Sequence, residues 1–436
     1  MKILVVNGIQ RETVGDAALL SVLLDQLGQA FPGCDVEISS LDNPREHPMF
    51  RQWRNVGSLR RWSASEEISR PNRALRKVFV ACLGLFWFRG PRAPYRHLAR
   101  LLPAEVRAEL RALEDADLVV SCSGGYLNGT RSISGDLSVY CTVASITLAE
   151  RLGSPVIFAP QSVGPFGRER QRRCAERVLK GANLVLVRED TSYSLVESLG
   201  VVPPALRRAI DSAFAFRPGP SDGWRERLSL SADDVVVGMT ARDWLPPPRQ
   251  ELFERTLARL VDHVQSSPKS RVVLIPQNTS ALVGEDDRDV NRRIAGYCQG
   301  TRAPVLVEDR CDPTEITGLY STVDFLVGMR FHSVIFALTS YVPSIAIGYH
   351  YKAAGIMRDL GLEEWVLPLE DVTEDRIFAL FDRLVREGGE YKAHLRRVLP
   401  EYLERAGEVP ELFKSAYDAT APTGHTEGAA GRTGSS

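Results

Sequence analysis

The feature that most limits how this chain folds is a recurrence of short apolar runs. Leu4-Val5-Val6, Leu118-Val119-Val120, Val156-Ile157-Phe158 and Leu184-Val185-Leu186-Val187 lack polar alternation and read as strands buried in a parallel sheet. Each leads into a Gly-, Ser- or Asp-containing loop and then a helical pattern, the order of a doubly wound α/β fold. A second series follows: Val235-Val236-Val237-Gly238, Val272-Val273-Leu274-Ile275, Pro304-Val305-Leu306-Val307, Phe325-Leu326-Val327 and Ser344-Ile345-Ala346-Ile347. Between the two series, Arg217-Pro218-Gly219-Pro220-Ser221-Asp222-Gly223 has the composition of a linker. The expectation is an N-terminal α/β domain over residues 1–216 and a second over 223–385. Helices over 388–418 are expected to pack back across the domains, and a Gly/Thr/Ser-rich tail, 421–436, to lack order.

Length agrees with two domains, since 436 residues exceed one ordinary core. The balance of 54 basic against 55 acidic residues removes any global electrostatic case for a nucleic-acid partner. Cys34, Cys82, Cys122, Cys141, Cys174, Cys298 and Cys311 are too scattered for a C-x-x-C motif and fit the reduced thiols of a cytoplasmic protein. The start, Met1 to Gly8, reads as a strand entering a turn, without the longer apolar region of a signal peptide. The longest apolar run, Val78 to Phe88, is too short to cross a bilayer as a helix.

In two facing α/β domains, ligands lie in the cleft at the carboxyl ends of the strands. Five loops there carry the search for chemistry. In the first, Gly15 allows close backbone approach and Asp16 is expected to cap a helix beginning at Ala17, whose N-terminus suits an anion. The second, Ser121 to Gly129, carries the pair Gly124-Gly125. It is neither G-x-G-x-x-G nor a phosphate loop, which disfavours a dinucleotide enzyme. The third offers Gln161 and a sharp turn at Gly164-Pro165; the fourth ends a strand with Arg188. The fifth is the strongest: an apolar strand ends at Gly328, a helix is expected to start near Ser333, and Arg330 and His332 fall between. Residues two apart in an extended turn point the same way, so both are expected to face the cleft. Lys352 adds a cation after the next strand, and Arg242 another at the opening of the second domain.

In this order the five loops resemble those of the polysaccharide pyruvyl transferase family, from Ile3 to about Leu362. The most specific part is Gly328-Met329-Arg330-Phe331-His332-Ser333 followed by Pro343-Ser344-Ile345-Ala346-Ile347-Gly348-Tyr349 and Lys352. Phe331 stands where the family usually has leucine, and Ser123 where a further glycine is common. The resemblance implies a glycosyltransferase-B-like fold of two facing Rossmann-like domains. It also implies a role in exopolysaccharide biosynthesis at the cell envelope: transfer of a pyruvyl group from phosphoenolpyruvate onto a sugar of a polysaccharide or lipid-linked glycan, giving a ketal.

Phosphoenolpyruvate carries a phosphate and a carboxylate, and holding both needs several cations and backbone donors. Arg330, Arg188, Arg242 and Lys352 are expected to supply charge, with Gly15, Asp16, Gly124, Gly125, Gln161 and Gly164 completing the substrate site. No cofactor or metal is required, and the sequence shows no ligand cluster. Arg330 is expected to hold the donor anion, and His332 to be the general acid that protonates the methylene carbon. A helix N-terminus should lower the histidine pKa, and a bound anionic donor should raise it again.

From Arg51 to Arg100, twelve basic residues against Glu66 and Glu67 flank the apolar run. Two readings fit: a core helix with a solvated basic rim, or peripheral contact with anionic lipid at the inner face of the membrane. Two rival functions stand beside pyruvyl transfer. One is a glycosyltransferase using a nucleotide sugar, with Glu308-Asp309 on the ribose; the other is a non-catalytic glycan-binding relative. Oligomeric state, a homo-oligomer included, is left open by the sequence.

Overall fold

A computed structural model describes residues 1–8, 13–41, 48–64, 70–89, 102–279, 286–349 and 351–420. The tail 421–436, expected to lack order, lies outside them.

The first sheet comprises β1 (Lys2–Gly8), β2 (Asp35–Ser40), β3 (Arg54–Asn55), β4 (Leu118–Ser121), β5 (Gly124–Gly129), β6 (Val156–Phe166), β7 (Leu184–Val187) and β8 (Leu206–Arg208). Its order is β3-β2-β1-β4-β6-β7-β8, with β5 paired to β6 off the main path. The second comprises β9 (Val235–Thr240), β10 (Ser270–Leu274), β11 (Val305–Leu306), β12 (Phe325–Gly328), β13 (Ser344–Gly348) and β14 (Val366–Pro368), ordered β11-β10-β9-β12-β13-β14. The pairings in both sheets are parallel. Strand order reverses between β1 and β4 and again between β9 and β12, and the crevices at such reversals are where α/β sheets take ligands.

The strand pleat explains the apolar runs. Ile3 and Val5 face one core with Leu118, Val120, Ile157 and Leu186. Leu4 and Val6 face another with Val119, Phe158, Val185 and Val187. With helices on both faces, neither side of the strand has room for alternating polar residues.

The helix Val14–Ala30 is buried around most of its circumference, and its faces serve different cores. Ala17, Leu20, Leu23, Leu24 and Leu27 pack under the first sheet. Val14, Ala18, Leu19 and Val22 join the core of the second sheet. Its start is tied to the second domain by Val14 N–H donating to the Gln277 carbonyl at 3.0 Å and by an antiparallel bridge between Thr13 and Asn278. At the other end of the chain, the helix Glu374–Ala406 runs unbroken through the boundary expected at 385–388, because Leu384, Tyr391, Leu395 and Leu399 continue one buried stripe. The helix Val409–Asp418 then returns to the first domain. Val409 and Phe413 are buried beneath the first sheet, and Tyr417 meets Phe31 edge to face at 5.5 Å.

Two segments expected to be loops are partly strand. Gly124–Gly129 pairs with β6, which runs on through the expected Gln161-to-Phe166 turn. Each segment gives the other a partner for its backbone, so both stay ordered beyond the main sheet. Between Arg51 and Arg100, the helix Arg70–Arg89 packs against Ile133–Leu152 and buries Val80. On the same helix, Leu75, Val78 and Phe79 are 68%, 45% and 37% exposed, so it has an apolar face turned outward. Residues 65–69 and 90–100 of that segment lie outside the described ones.

Candidate active site

A cavity of about 310 Å³ opens between the two domains at the carboxyl ends of their strands. The second domain supplies Arg330, Phe331 and His332 after β12, Tyr349 and Lys352 after β13, and Gln277 after β10. The first supplies Gly15 and Asp16, Gly124 and Gly125, Arg188 after β7, and Arg60.

The Arg330–His332 turn differs from the extended one expected. The helix starts at Phe331, with Arg330 as its N-cap, so His332 already lies in the first helical turn. Thr240 fixes the turn: its Oγ1 accepts from the Met329 and Arg330 amides at 3.1 and 3.2 Å and lies 2.9 Å from Ser333 Oγ. Arg330 and His332 therefore diverge. Arg330 grips Asp287 through Nε, at 2.9 Å, and through Nη2. Asp287, almost fully buried, also accepts from the Gln277 and Asn278 amides at 2.9 and 3.0 Å. Two of the Arg330 donors are thus engaged with a buried carboxylate, while the residue still lines the cavity. Its first effect is to hold the turn and the Gln277 loop together.

The His332 ring lies against the Gly15 backbone, where any side chain on Gly15 would overlap Nδ1. The glycine is thus needed for the histidine's approach rather than a ligand's. His332 Nε2 is buried without a hydrogen-bond partner and borders the cavity. Burial pushes its pKa down to about 4; Asp211 opposes this, and Arg188, Lys352 and Arg330 add to it. The imidazole is therefore neutral near pH 7.

Arg188 is 3% exposed; its Nη1 donates to Asp211 at 2.5 Å, its Nε donates to Ser162 Oγ at 2.9 Å, and its guanidinium lies 5.1 Å from the Phe331 ring centre. Its Nη2 is 3.7 Å from where a side-chain carbon on Gly125 would sit. That same carbon would overlap Lys352 Nζ, so glycine at 125 lets the ammonium reach the cavity. Burial, and then the Arg188 charge, push the Lys352 pKa down to about 8. Asp16 does not cap its helix, which begins at Val14 after Thr13; it stands in the first turn. Burial raises its pKa, against the pull of Arg188, Lys352, Arg330 and Arg60.

Two sequence-expected residues border a neighbouring cavity of about 250 Å³ instead: Arg242 and Gly164. Gln161 is fully buried in β6 and lines neither cavity. Arg60 escaped the sequence reading altogether. It comes from the helix Leu59–Ala64, sits 5.3 Å from the Tyr126 ring centre, and donates to Asn7 Oδ1 at 3.4 Å. No strand end marks it; its inward turn is a product of tertiary packing. Gln277 did carry a signal, the polar Gln277-Asn278 pair just after the Val272–Ile275 run.

The lining thus holds four cations, Arg60, Arg188, Arg330 and Lys352, against one carboxylate, Asp16. Asp287 and Asp211 compensate Arg330 and Arg188 from behind. Among the described residues, Arg60 and Lys352 have no carboxylate within ion-pair distance, and no group of three or more His, Cys, Asp or Glu stands ready to hold a metal. The amino ends of Val14–Ala30 and Phe331–Thr339 add positive potential at the same place. Chemically, the lining places an excess of positive charge beside a neutral imidazole with an unpartnered ring nitrogen. Asp287→Ala strands a buried guanidinium, so urea unfolding should show a loss of about 3–5 kcal/mol; an unchanged midpoint would show that Arg330 is compensated elsewhere.

The chain resembles known proteins over nearly its whole length. The chain is 22% identical over 423 residues to the amylovoran biosynthesis protein AmsJ of Erwinia amylovora, covering 92% of this chain and 96% of that protein. Among solved structures, a UDP-N-acetylglucosamine 2-epimerase described as putative, from Listeria monocytogenes, superposes with a TM-score of 0.60 at 13% identity over 96% of this chain and 97% of its own. Anabaena HepE in complex with UDP-glucose gives 0.59 at 12% identity over 96% of this chain and 100% of its own. At these identities the structural likeness concerns the fold, two Rossmann-like domains of the glycosyltransferase-B type. The family profile for polysaccharide pyruvyl transferase matches residues 14–351, which include every residue of the cavity except Asn7 and Thr13 at its edge and Lys352 one position beyond, and the chain belongs to that family.

Proposed function

We propose that the inter-domain cavity binds phosphoenolpyruvate and that the enzyme transfers its pyruvyl group to two hydroxyls of one sugar, giving a ketal and inorganic phosphate. The observation that carries this reading is the combination of Arg60 and Lys352, without carboxylate partners, with the unpartnered Nε2 of His332 in one cavity. Phosphoenolpyruvate offers two anionic groups to the cations and a methylene carbon that needs a proton.

In this mechanism Lys352, Arg188 and Arg60 hold the phosphate and carboxylate, while Arg330, paired with Asp287, keeps the His332 turn in place. Burial is the main cause of the low His332 pKa and three cations add to it; the donor's negative charge opposes both, so the imidazole gains its proton when the donor is bound. His332 then passes that proton to the methylene carbon, which becomes the methyl group. One sugar hydroxyl attacks the adjacent carbon and gives its proton to Asp16, the carboxylate of the lining. The carbon–oxygen bond to phosphate breaks, the second hydroxyl closes the ketal, and its proton leaves with phosphate. The free cysteines fit a reducing, cytoplasmic setting for this reaction.

The nucleotide-sugar alternative loses its ribose clamp. Glu308 is held by Arg292 at 2.5 Å and Asp309 by Arg227 at 2.7 Å, and neither borders the cavity.

Phosphate release from phosphoenolpyruvate with a panel of glycan acceptors tests the assignment. His332→Ala should lower kcat on the order of 10²- to 10⁴-fold with the fold intact; near-normal turnover would remove the histidine from the mechanism. Donor affinity should weaken as pH rises through about 8, where Lys352 loses its proton, and Lys352→Ala should abolish that limb. A flat profile in the wild type would exclude Lys352 as a donor ligand.

If the acceptor is lipid-linked, the enzyme meets it at a membrane. Exposed Leu75, Val78 and Phe79 share the Arg70–Arg89 helix with Arg73, Arg76 and Lys77 and suit an anionic surface. The protein should float with phosphatidylglycerol vesicles and not with phosphatidylcholine vesicles; equal recovery from both would remove the idea.

A further inference from the structure

Beside the donor cavity, and sharing Phe331, Tyr349 and Lys352 with it, lies the second cavity of about 250 Å³. Trp244 forms part of its wall and is 48% exposed, an unusual cost for so large an apolar ring. The ring is not loosely held. Buried Gln250 accepts from the Trp244 and Leu245 amides, both at 3.1 Å, and donates to the Arg242 carbonyl at 3.2 Å. Arg293 ties the intervening Asp243 at 2.7 Å and Glu254 at 2.7 Å. Glu254 in turn accepts from Gln250 at 2.8 Å, so the whole loop is clamped to the helix beneath it. Tyr349 packs against Trp244 at 4.8 Å between ring centres, and the Arg242 guanidinium lies 4.9 Å from the Trp244 ring centre.

We propose that this cavity is the acceptor subsite and that Trp244 is the surface on which a hexopyranose ring stacks. This rests on the first cavity being the donor site. A rigid, half-exposed aromatic ring matches the apolar C–H face of a sugar, and the polar wall matches its hydroxyls. Arg242 and Tyr349 present hydrogen-bonding groups there; so does Asn128, whose Nδ2 donates to the Gly125 carbonyl at 2.6 Å. Phe331 stands between the two cavities, with His332 next in the chain. A hydroxyl of the stacked sugar therefore approaches the donor carbon from the Lys352 side. Phe331 and Trp244 together set which sugars fit.

The test separates the two readings. Saturation-transfer NMR with methyl glycosides of glucose, galactose and mannose, without donor, reports the subsite alone. At least one glycoside should show transfer from the wild type, and Trp244→Ala should lose it. In steady state, Trp244→Ala should raise KM for the best acceptor roughly tenfold, the size of one lost aromatic contact, with Trp244→Phe recovering part of it. KM for phosphoenolpyruvate and the thermal shift it produces should stay at wild-type values. Equal glycoside signals in wild type and Trp244→Ala, or equal losses in donor and acceptor KM, would overturn the subsite. Absence of any thermal shift from phosphoenolpyruvate in the wild type, with glycoside transfer retained, would instead overturn the donor reading and leave the subsite standing.

Discussion

The cavity depends on how the helix Val14–Ala30 enters the seam between the domains. That helix is buried by both domains, so its first turn cannot move without unpacking one of them. Gly15 brings its backbone against the His332 ring, and Asp16 faces the cations. The imidazole is thereby enclosed, unpartnered at Nε2 and neutral at rest. A looser seam would admit water, give Nε2 a partner and return the histidine toward its ordinary basicity.

Gathering four cations into one cavity is costly unless each is compensated. The structure divides them into two kinds. Arg330 and Arg188 have buried carboxylates behind them, Asp287 and Asp211, which hold the two guanidinium groups in place. Lys352 and Arg60 lack such partners among the described residues, and their pKa values fall through burial. Under the proposed function a bound anion would compensate these two, with Arg188 beside them. Burial and then the Arg188, Lys352 and Arg330 charges lower the His332 pKa, so under the proposed function a bound anion would raise it.

Much of this was legible in sequence because parallel strands announce themselves as short apolar runs. All nine runs named at the outset fall on strands. The added strands β2, β3, β5, β8 and β14 are short, polar or glycine-rich, and their strand character comes from pairing rather than composition. Strand ends likewise disclosed Arg188, His332 and Lys352. They also disclosed Arg330, but not its partner Asp287 in the first turn of a distant helix, and they misled at Gln161, which β6 buries. Arg60 was hidden because the basic segment around it resembles a solvated rim; only the packing of Leu59–Ala64 turns that one side chain inward. Trp244 carried no signal beyond its position just after Arg242, since exposure is a property of the folded chain.

The most direct test of the central claim is a crystal structure with phosphoenolpyruvate bound. Its carboxylate and phosphate are expected between Lys352, Arg188 and Arg60, with the methylene carbon facing His332 Nε2. Density for the donor elsewhere, or bound there with the methylene turned away from His332, would contradict the claim.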